Sequence, residues 1–351
     1  MNGNQLSSYG SRSMGSTNKF EPYFGTFSIV ALDPDSGEIG VAVASRYFDV
    51  GYSLAWLKAG KGAVATQAYV NSELGKKGLD ALNEGMNASE ALTAILAEDE
   101  DSEIRQVGIV DFAGISASHT GINTFPWSGH LTAQNIAIQG NILTGPSVLQ
   151  SMMDIFLETK GPLAEKLLSA LEAGESQGGD KRGKQSAALF VVRKNGGFQG
   201  VDDRLVDLKI SDHPDPIVEL RRLFNIWRYI YLVPAYSRLA DEEPEMSTAL
   251  YGHIRTFLNK VLEEDIDDPE IFNSLAWFLA INKKFPEEAI IAAEKAYSLA
   301  PDNPNVIDTL AEAHYAADNA EKAVYWAKET LKLSPDNKLF KEQLERFSKS
   351  D

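Results

Sequence analysis

Gly25-Thr26 marks the point where a polar stretch, MNGNQLSSYGSRSMGSTNKFEPYFG, gives way to the β-rich run TFSIVALD. If the peptide bond between these two residues were cut, Thr26 would carry a hydroxyl nucleophile and a free α-amine on one rigid strand end. An α-amine with a pKa of about 7.7–8.0 can serve as the base for its own hydroxyl. No histidine is then needed, and none occurs before His119. The chemistry open to such a residue is attack on an amide carbonyl, an ester intermediate and hydrolysis. Threonine at a strand start is also an ordinary strand former.

Several polar residues fall where strands should end and could support that chemistry. Ser45-Arg46 closes the second strand, and hairpin geometry would return it beside Thr26. Arg46 could bind a substrate carboxylate or lower the pKa of the amine. Gln67 and Asn71 follow the third strand and could donate to an oxyanion or orient a substrate amide. Asn141 ends another strand, in Gln139-Gly140-Asn141. Asp180 and Arg182 lie in a Gly-rich loop; they could hold substrate charge at the mouth of the site or form a structural ion pair. Asp33, seven positions after Thr26, reads as a turn former. His119 and His130 flank a Gly/Trp/Ser loop, but no GxSxG elbow accompanies them to make a Ser-His-Asp triad.

Composition removes other chemistries. The chain has no cysteine, so disulfides, thiolate metal sites and a cysteine nucleophile are excluded. Its five histidines show no HExxH-like spacing, and no GxGxxG or GxxxxGK[ST] follows a strand. No metal or other cofactor is expected. A net charge of -17 argues against binding nucleic acid or an anionic membrane surface. No apolar run has the length of a membrane span, and the first residues lack the apolar core of a secretory signal, so a cytoplasmic location is expected.

The elements that must position these residues follow from pattern. Residues 26–33 and the EIGVAVASR run form a hairpin through Asp33-Pro34-Asp35-Ser36-Gly37. A third strand covers 62–68, and two helices lie between 72 and 97, the second capped by Asn87. Strands return at 104–111, 115–119 and 135–143, then helices at about 146–158 and 162–173, then strands at 186–194 and 201–210. Strands joined by hairpins imply antiparallel sheets, and helix pairs inserted between strand groups imply helical layers on two stacked sheets. The class is α+β. The order divides the chain into a polar leader, expected to be disordered, over 1–25, a layered domain over 26–215, a helical connector over 216–268, and helices from 269 to 351.

The runs TFSIVALDPDSGEIGVAVASR, ATQAYVNSELGKKGLDAL, QGNIL and GGDKRGKQSAAL, in that order, resemble an uncharacterised, mostly bacterial family assigned to the N-terminal-nucleophile (Ntn) hydrolase superfamily. The likeness covers about 26–215. It implies a four-layer αββα sandwich and hydrolysis of an amide or peptide bond. Members of that family often begin close to the equivalent of Thr26; this chain departs by carrying a 25-residue leader, and the expectation is that cleavage after Gly25 releases it and exposes Thr26. The alternative is an Ntn-fold binding module without catalysis.

Near the C-terminus a 34-residue period appears: Ala289 recurs as Ala323, Leu299 as Leu333, and Pro301-Asp302-Asn303 as Pro335-Asp336-Asn337. Residues 269–340 resemble two tetratricopeptide units. That likeness implies partner binding or self-association through 269–340, or a stabilising appendage.

Overall fold

The computed structural model describes residues 23–261, 263 and 266–349. The expected disorder of the leader therefore lies, for residues 1–22, outside the described residues. Its last part differs from expectation. Tyr23–Phe24 forms a short strand, β1, whose backbone pairs with a later strand, and β2 (Thr26–Asp33) begins after Gly25 alone. β2 and β3 (Glu38–Ser45) make the hairpin that the turn residues predict. Asp33 accepts from the Asp35 N–H at 3.1 Å and the Ser36 hydroxyl at 3.0 Å, so it closes the turn at the far end of β2 from Thr26.

A four-residue helical turn, α1 (Gly51–Leu54), leads into β4 (Ala55–Lys58) and β5 (Gly62–Tyr69). Helices α2 (Ser72–Asn83) and α3 (Ala88–Ala97) follow. Asn87 caps α3 in a capping box with Glu90, worth about 1 kcal/mol. Next come β6 (Arg105–Asp111), β7 (Ser116–Thr120), β8 (Gly129–Ala133) and β9 (Ile136–Asn141). Helices α4 (Ser147–Glu158) and α5 (Leu163–Ser176) precede the last strands, β10 (Ser186–Val192) and β11 (Arg204–Ile210).

Among the described residues the strands form two antiparallel sheets. One runs β1-β5-β6-β7, with β4 also on β5; the other runs β11-β10-β3-β2-β9-β8. Strand alternation explains their packing. Val30, Leu32 and Val41 point one way and meet Ala63, Ala65 and Val110 between the sheets. Phe27, Ile29, Ala42 and Ala44 point the other way, into a core with residues of α4 and α5. Val64, Val107 and Ile109 are covered by α2 and α3. The order through this part is helices, sheet, sheet, helices.

Beyond β11 the chain is helical: α6 (Pro216–Trp227), a π-helical turn over Arg228–Leu232, α7 (Val233–Glu242) and α8 (Ser247–Leu258). Two helix pairs follow, α9 (Pro269–Ile281) with α10 (Pro286–Leu299) and α11 (Pro304–Ala316) with α12 (Ala320–Leu333), then α13 (Lys338–Ser348). Ala289 and Ala323 are fully buried, as small residues at helix contacts should be. α10 and α12 each stop two residues short of their proline, at Leu299 and Leu333. Glu165 on α5 ties the layers to the helices through Arg221 at 3.0 Å, Lys260 at 3.5 Å and Arg228 at 3.9 Å. Burial would raise the Glu165 pKa, but these three cations hold it below its ordinary value. Among the described residues no helix is long and apolar enough to cross a membrane.

Candidate functional site

Thr26 is the first residue of β2, and its two neighbours in register are Ser45 on β3 and Asn141 on β9. Residues directly opposite in antiparallel strands put their side chains on the same face. For these three that is the face between the sheets, since Thr26 shares the parity of Val30 and Leu32. All three are buried, and Thr26 is 0% exposed. The hairpin and β9 thus bring together three polar side chains separated by 19 and 96 residues along the chain.

The hydroxyls form a chain that ends on the peptide bond before Thr26. The Thr26 hydroxyl donates to the Ser45 Oγ at 3.3 Å, and the Ser45 hydroxyl donates to the Gly25 carbonyl at 2.5 Å. A second donor reaches the same carbonyl from the loop after α5: Arg182 Nη2, at 2.9 Å. Asp180 fixes this guanidinium, accepting from Arg182 Nη2 at 2.6 Å and Nε at 3.0 Å. The Asp180 carboxylate also accepts the Arg46 N–H at 3.0 Å, which locks the loop to the end of β3. A Cβ on Gly25 would lie 2.5 Å from Arg182 Nη2, so the guanidinium approaches this closely only because residue 25 has no side chain.

Beneath Thr26 the two sheets share a buried amide network. Gln67 donates to the Thr26 carbonyl at 3.4 Å and to Gln106 Oε1 at 2.8 Å, and it accepts from the Ser28 hydroxyl at 2.7 Å. Asn141 donates to the same Gln106 oxygen at 2.9 Å, and Gln106 donates onward to the Gly140 carbonyl at 2.9 Å. Gln139 donates to Ser28 at 2.7 Å, and its side chain crosses the space over Gly108, where a Cβ would stand 1.9 Å from its Oε1. Buried amides satisfied in this way hold one geometry, because breaking any link strands a polar group in a dry interior. One acceptor is left over: among the described residues Asn141 Oδ1 has no hydrogen-bond partner.

The residues singled out in the sequence divide into two groups. Thr26, Ser45, Gln67, Asn141, Asp180 and Arg182 converge on the Gly25–Thr26 peptide. Arg46 and Asn71 take other places. The Arg46 side chain is exposed and donates to Gln185 Oε1 at 3.3 Å, so Arg46 serves the site through its backbone N–H, and Arg182 supplies the cation. Asn71 caps α2, accepting from the Glu73 N–H at 3.1 Å, and it hydrogen-bonds Asp99. Its amide is spent on helix geometry. Ser28 and Gln106 escaped sequence reasoning. Their signal was a polar residue at an inward position of an otherwise apolar strand.

The arrangement polarises the Gly25 carbonyl with a hydroxyl and a guanidinium while presenting a hydroxyl from the next residue. Among the described residues no group of three or more His, Asp or Glu is placed to hold a metal ion.

Two stacked antiparallel sheets with helices on their outer faces, closed around a polar centre at the start of β2, define the class of protein. The chain belongs to a family of unknown function, DUF1028, whose model matches residues 26–220. It is similar to a solved crystal structure of the same family, protein SPO2555 from Silicibacter pomeroyi. The two share 29% identity with a TM-score of 0.53, over 58% of this chain and 89% of that one. No curated protein matches the chain.

Proposed function

We propose that this protein is an Ntn-type amidohydrolase whose nucleophile, Thr26, is freed by its own cleavage after Gly25. The helices-sheet-sheet-helices order fits the αββα sandwich of that superfamily. The observation that carries the reading is the pair of donors, Ser45 and Arg182, on the carbonyl of the bond to be cut. In the first stage the Thr26 Oγ attacks the Gly25 carbonyl carbon through a five-membered ring. Its proton passes to Ser45, and the Ser45 proton passes to the carbonyl oxygen. When this adduct collapses, the carbonyl re-forms, the C–N bond breaks and the nitrogen takes the proton. Gly25 is left as an ester on Thr26, and water hydrolyses the ester to a Gly25 carboxylate and a free Thr26.

In the second stage the new α-amine takes the proton from the Thr26 hydroxyl as that oxygen attacks an external amide. The acyl group moves to Oγ, the amine product leaves with the proton, and water hydrolyses the ester. Asn141 Oδ1, unpartnered next to Thr26, is an acceptor available to orient the amine once it forms.

Intact-mass analysis tests this. Wild type should accumulate a species beginning at Thr26, whereas Thr26→Ala should keep every residue from Met1. Ser45→Ala should slow release by about 100-fold, the scale of losing one oxyanion donor. Removal of the leader at the wild-type rate from the Thr26→Ala variant would eliminate Thr26 as the nucleophile.

The second reading is a non-catalytic module whose helices recruit a partner, and it has its own support. Thr26 is sealed from solvent, and a cavity of about 520 Å³ between α9, α11 and α13 is lined by Trp277, Ile281, Tyr315 and Leu339 with Lys283 and Arg346. The repeat-like helices fit tetratricopeptide units in spacing. A protein that retains its leader, hydrolyses nothing and co-purifies with a partner lost on deletion of 269–351 would establish this reading.

A further inference from the structure

The leader enters the site as an extended strand, and its path has the form of a subsite. Tyr23 and Phe24 pair antiparallel with Tyr69 and Ala68 at the end of β5, and Gly25 then carries the chain across to the other sheet. That stretch of β5 edge is rigidly built. Ala68 adopts the left-handed region at φ 69°, a conformation that costs a non-glycine residue energy and persists only where its surroundings fix it. Arg105, 1% exposed, donates to the Tyr69 carbonyl at 2.9 Å and to Asp99 at 2.8 Å, which holds the turn out of β5 in place. β4 pairs with β5 only as far as Ala65, so past that point this edge is taken up by the leader.

Connectivity links the leader to a substrate. When Thr26 releases the leader, the intermediate is an ester between its Oγ and the carbonyl of a peptide ending in Tyr-Phe-Gly. When Thr26 turns over an external amide, the intermediate is again an ester between the same Oγ and an acyl group. Whatever holds the first acyl group in place is available to hold the second. Departure of the leader vacates the strand position that Tyr23 and Phe24 hold beside Tyr69 and Ala68, and a vacated strand position is a template for an added strand.

We infer that the substrate is a peptide whose acyl portion lies as a short strand on the Ala68–Tyr69 edge of β5 and ends in glycine at the scissile bond. The inference rests on the hydrolase reading above. Glycine is favoured by Arg182: a Cβ at that position would lie 2.5 Å from Nη2, so the guanidinium must shift, and shifting it weakens its hydrogen bond to the reacting carbonyl. Main-chain pairing supplies affinity upstream, so a single acylglycine, which cannot reach the β5 edge, is a poor substrate. The bond broken is the glycyl C–N bond. The hydroxyl proton of Thr26 ends on the departing amine, and water supplies the oxygen of the glycine carboxylate.

The test uses the full chain, with the state of its N-terminus read by mass. Four fluorogenic anilides serve as probes: acetyl-Tyr-Phe-Gly, acetyl-Tyr-Phe-Ala and acetyl-Tyr-Phe-Val, each joined to aminomethylcoumarin, and acetyl-Gly joined to the same group. Thr26→Ala is the control. The expected result is Thr26-dependent release, with kcat/KM for the Gly tripeptide at least 10-fold above the Val tripeptide and above acetyl-Gly. Ala should fall between Gly and Val, because Arg182 must shift for it. Equal turnover of Gly and Val, or of acetyl-Gly and the tripeptide, overturns this inference and leaves the hydrolase standing. Leader release by Thr26 with no turnover of any probe does the same. A wild-type chain that keeps its leader overturns both.

Discussion

At the scale of single residues, the Gly25 carbonyl is held by two donors of different kind. The Ser45 hydroxyl is neutral and sits in the relay from Thr26, whereas the Arg182 guanidinium is charged and held by Asp180. A hydrogen bond from a charged donor contributes about 1.5–3 kcal/mol, roughly twice a neutral one. If Arg182 stabilises a developing oxyanion, Arg182→Ala should slow leader release by about 100-fold. Arg182→Lys should recover part of the rate, since it keeps the charge but loses the fork that binds Asp180 and Gly25 together. A time course of intact mass measures all three rates. If the Arg182→Ala rate matches wild type, Arg182 belongs to a structural ion pair, which the loop sequence allowed equally well. Gly25→Val acts through the same contact from the other side and should slow release more than tenfold, read in the same assay.

Elements explain which of these residues could be found in the sequence. The Asp33–Gly37 turn was legible because its side chains act locally, and once the hairpin is in place its register delivers Ser45 to Thr26. Asn141 was legible as a polar strand end. Gln106 was not, because its partners lie on β5 and β9, and no local pattern encodes the facing of two sheets. β4 and β8 escaped for a different reason: they are four and five residues long and largely half-exposed or exposed, so neither alternates cleanly. Asn71 looked like an oxyanion donor because the residue type that caps helices is also the type that donates to oxyanions. In the helical region, Asp308 on α11 is pushed up from its ordinary 3.8 to about 6 by burial, with the Glu312 charge adding to the shift against a hydrogen bond from Gln343. A raised folded pKa means that the folded state binds the proton more tightly. Its contribution to stability is complete below about pH 4 and is lost as pH rises to about 6, by at most about 3 kcal/mol. Asp308→Asn should therefore raise Tm by a few degrees at pH 7.5 and change it little at pH 4. Thermal melts at the two pH values measure this, and an unchanged Tm at pH 7.5 would show that the carboxylate is compensated in the folded state.

For the whole molecule, the question is where the layered part ends. Its strands finish at Ile210, yet the buried cluster behind β10 and β11 continues through Ile217, Leu220 and Phe224 of α6 and on to Tyr236, Phe257 and Phe272. α6 packs on β10, β11 and α5, and Trp227 donates its indole N–H to the Leu205 carbonyl at 3.1 Å. Each of the α6 side chains contributes about 1.5–3 kcal/mol by its burial. Their loss would also uncover Leu205 and leave Glu165, 5% exposed, without Arg221, Arg228 and Lys260. Losing the partners of a buried charge costs about 3–5 kcal/mol. Together these terms are comparable to the whole stability of a domain, about 5–15 kcal/mol. A chain ending at 215 should therefore aggregate or bind a hydrophobic dye and show no cooperative melt. A chain ending at 268 keeps α6, the π-helical turn, α7 and α8, together with all three partners of Glu165. It loses contacts such as Tyr229 against Phe272, whose ring centroids lie 6.2 Å apart. It should stay monodisperse, melt cooperatively at a lower Tm than the full chain, and still release its leader, because every group on the Gly25 carbonyl lies before residue 183. Size-exclusion chromatography, thermal melts and intact mass on the two truncations measure this. A chain ending at 215 that melts like the longer one would place the structural boundary where the strands end.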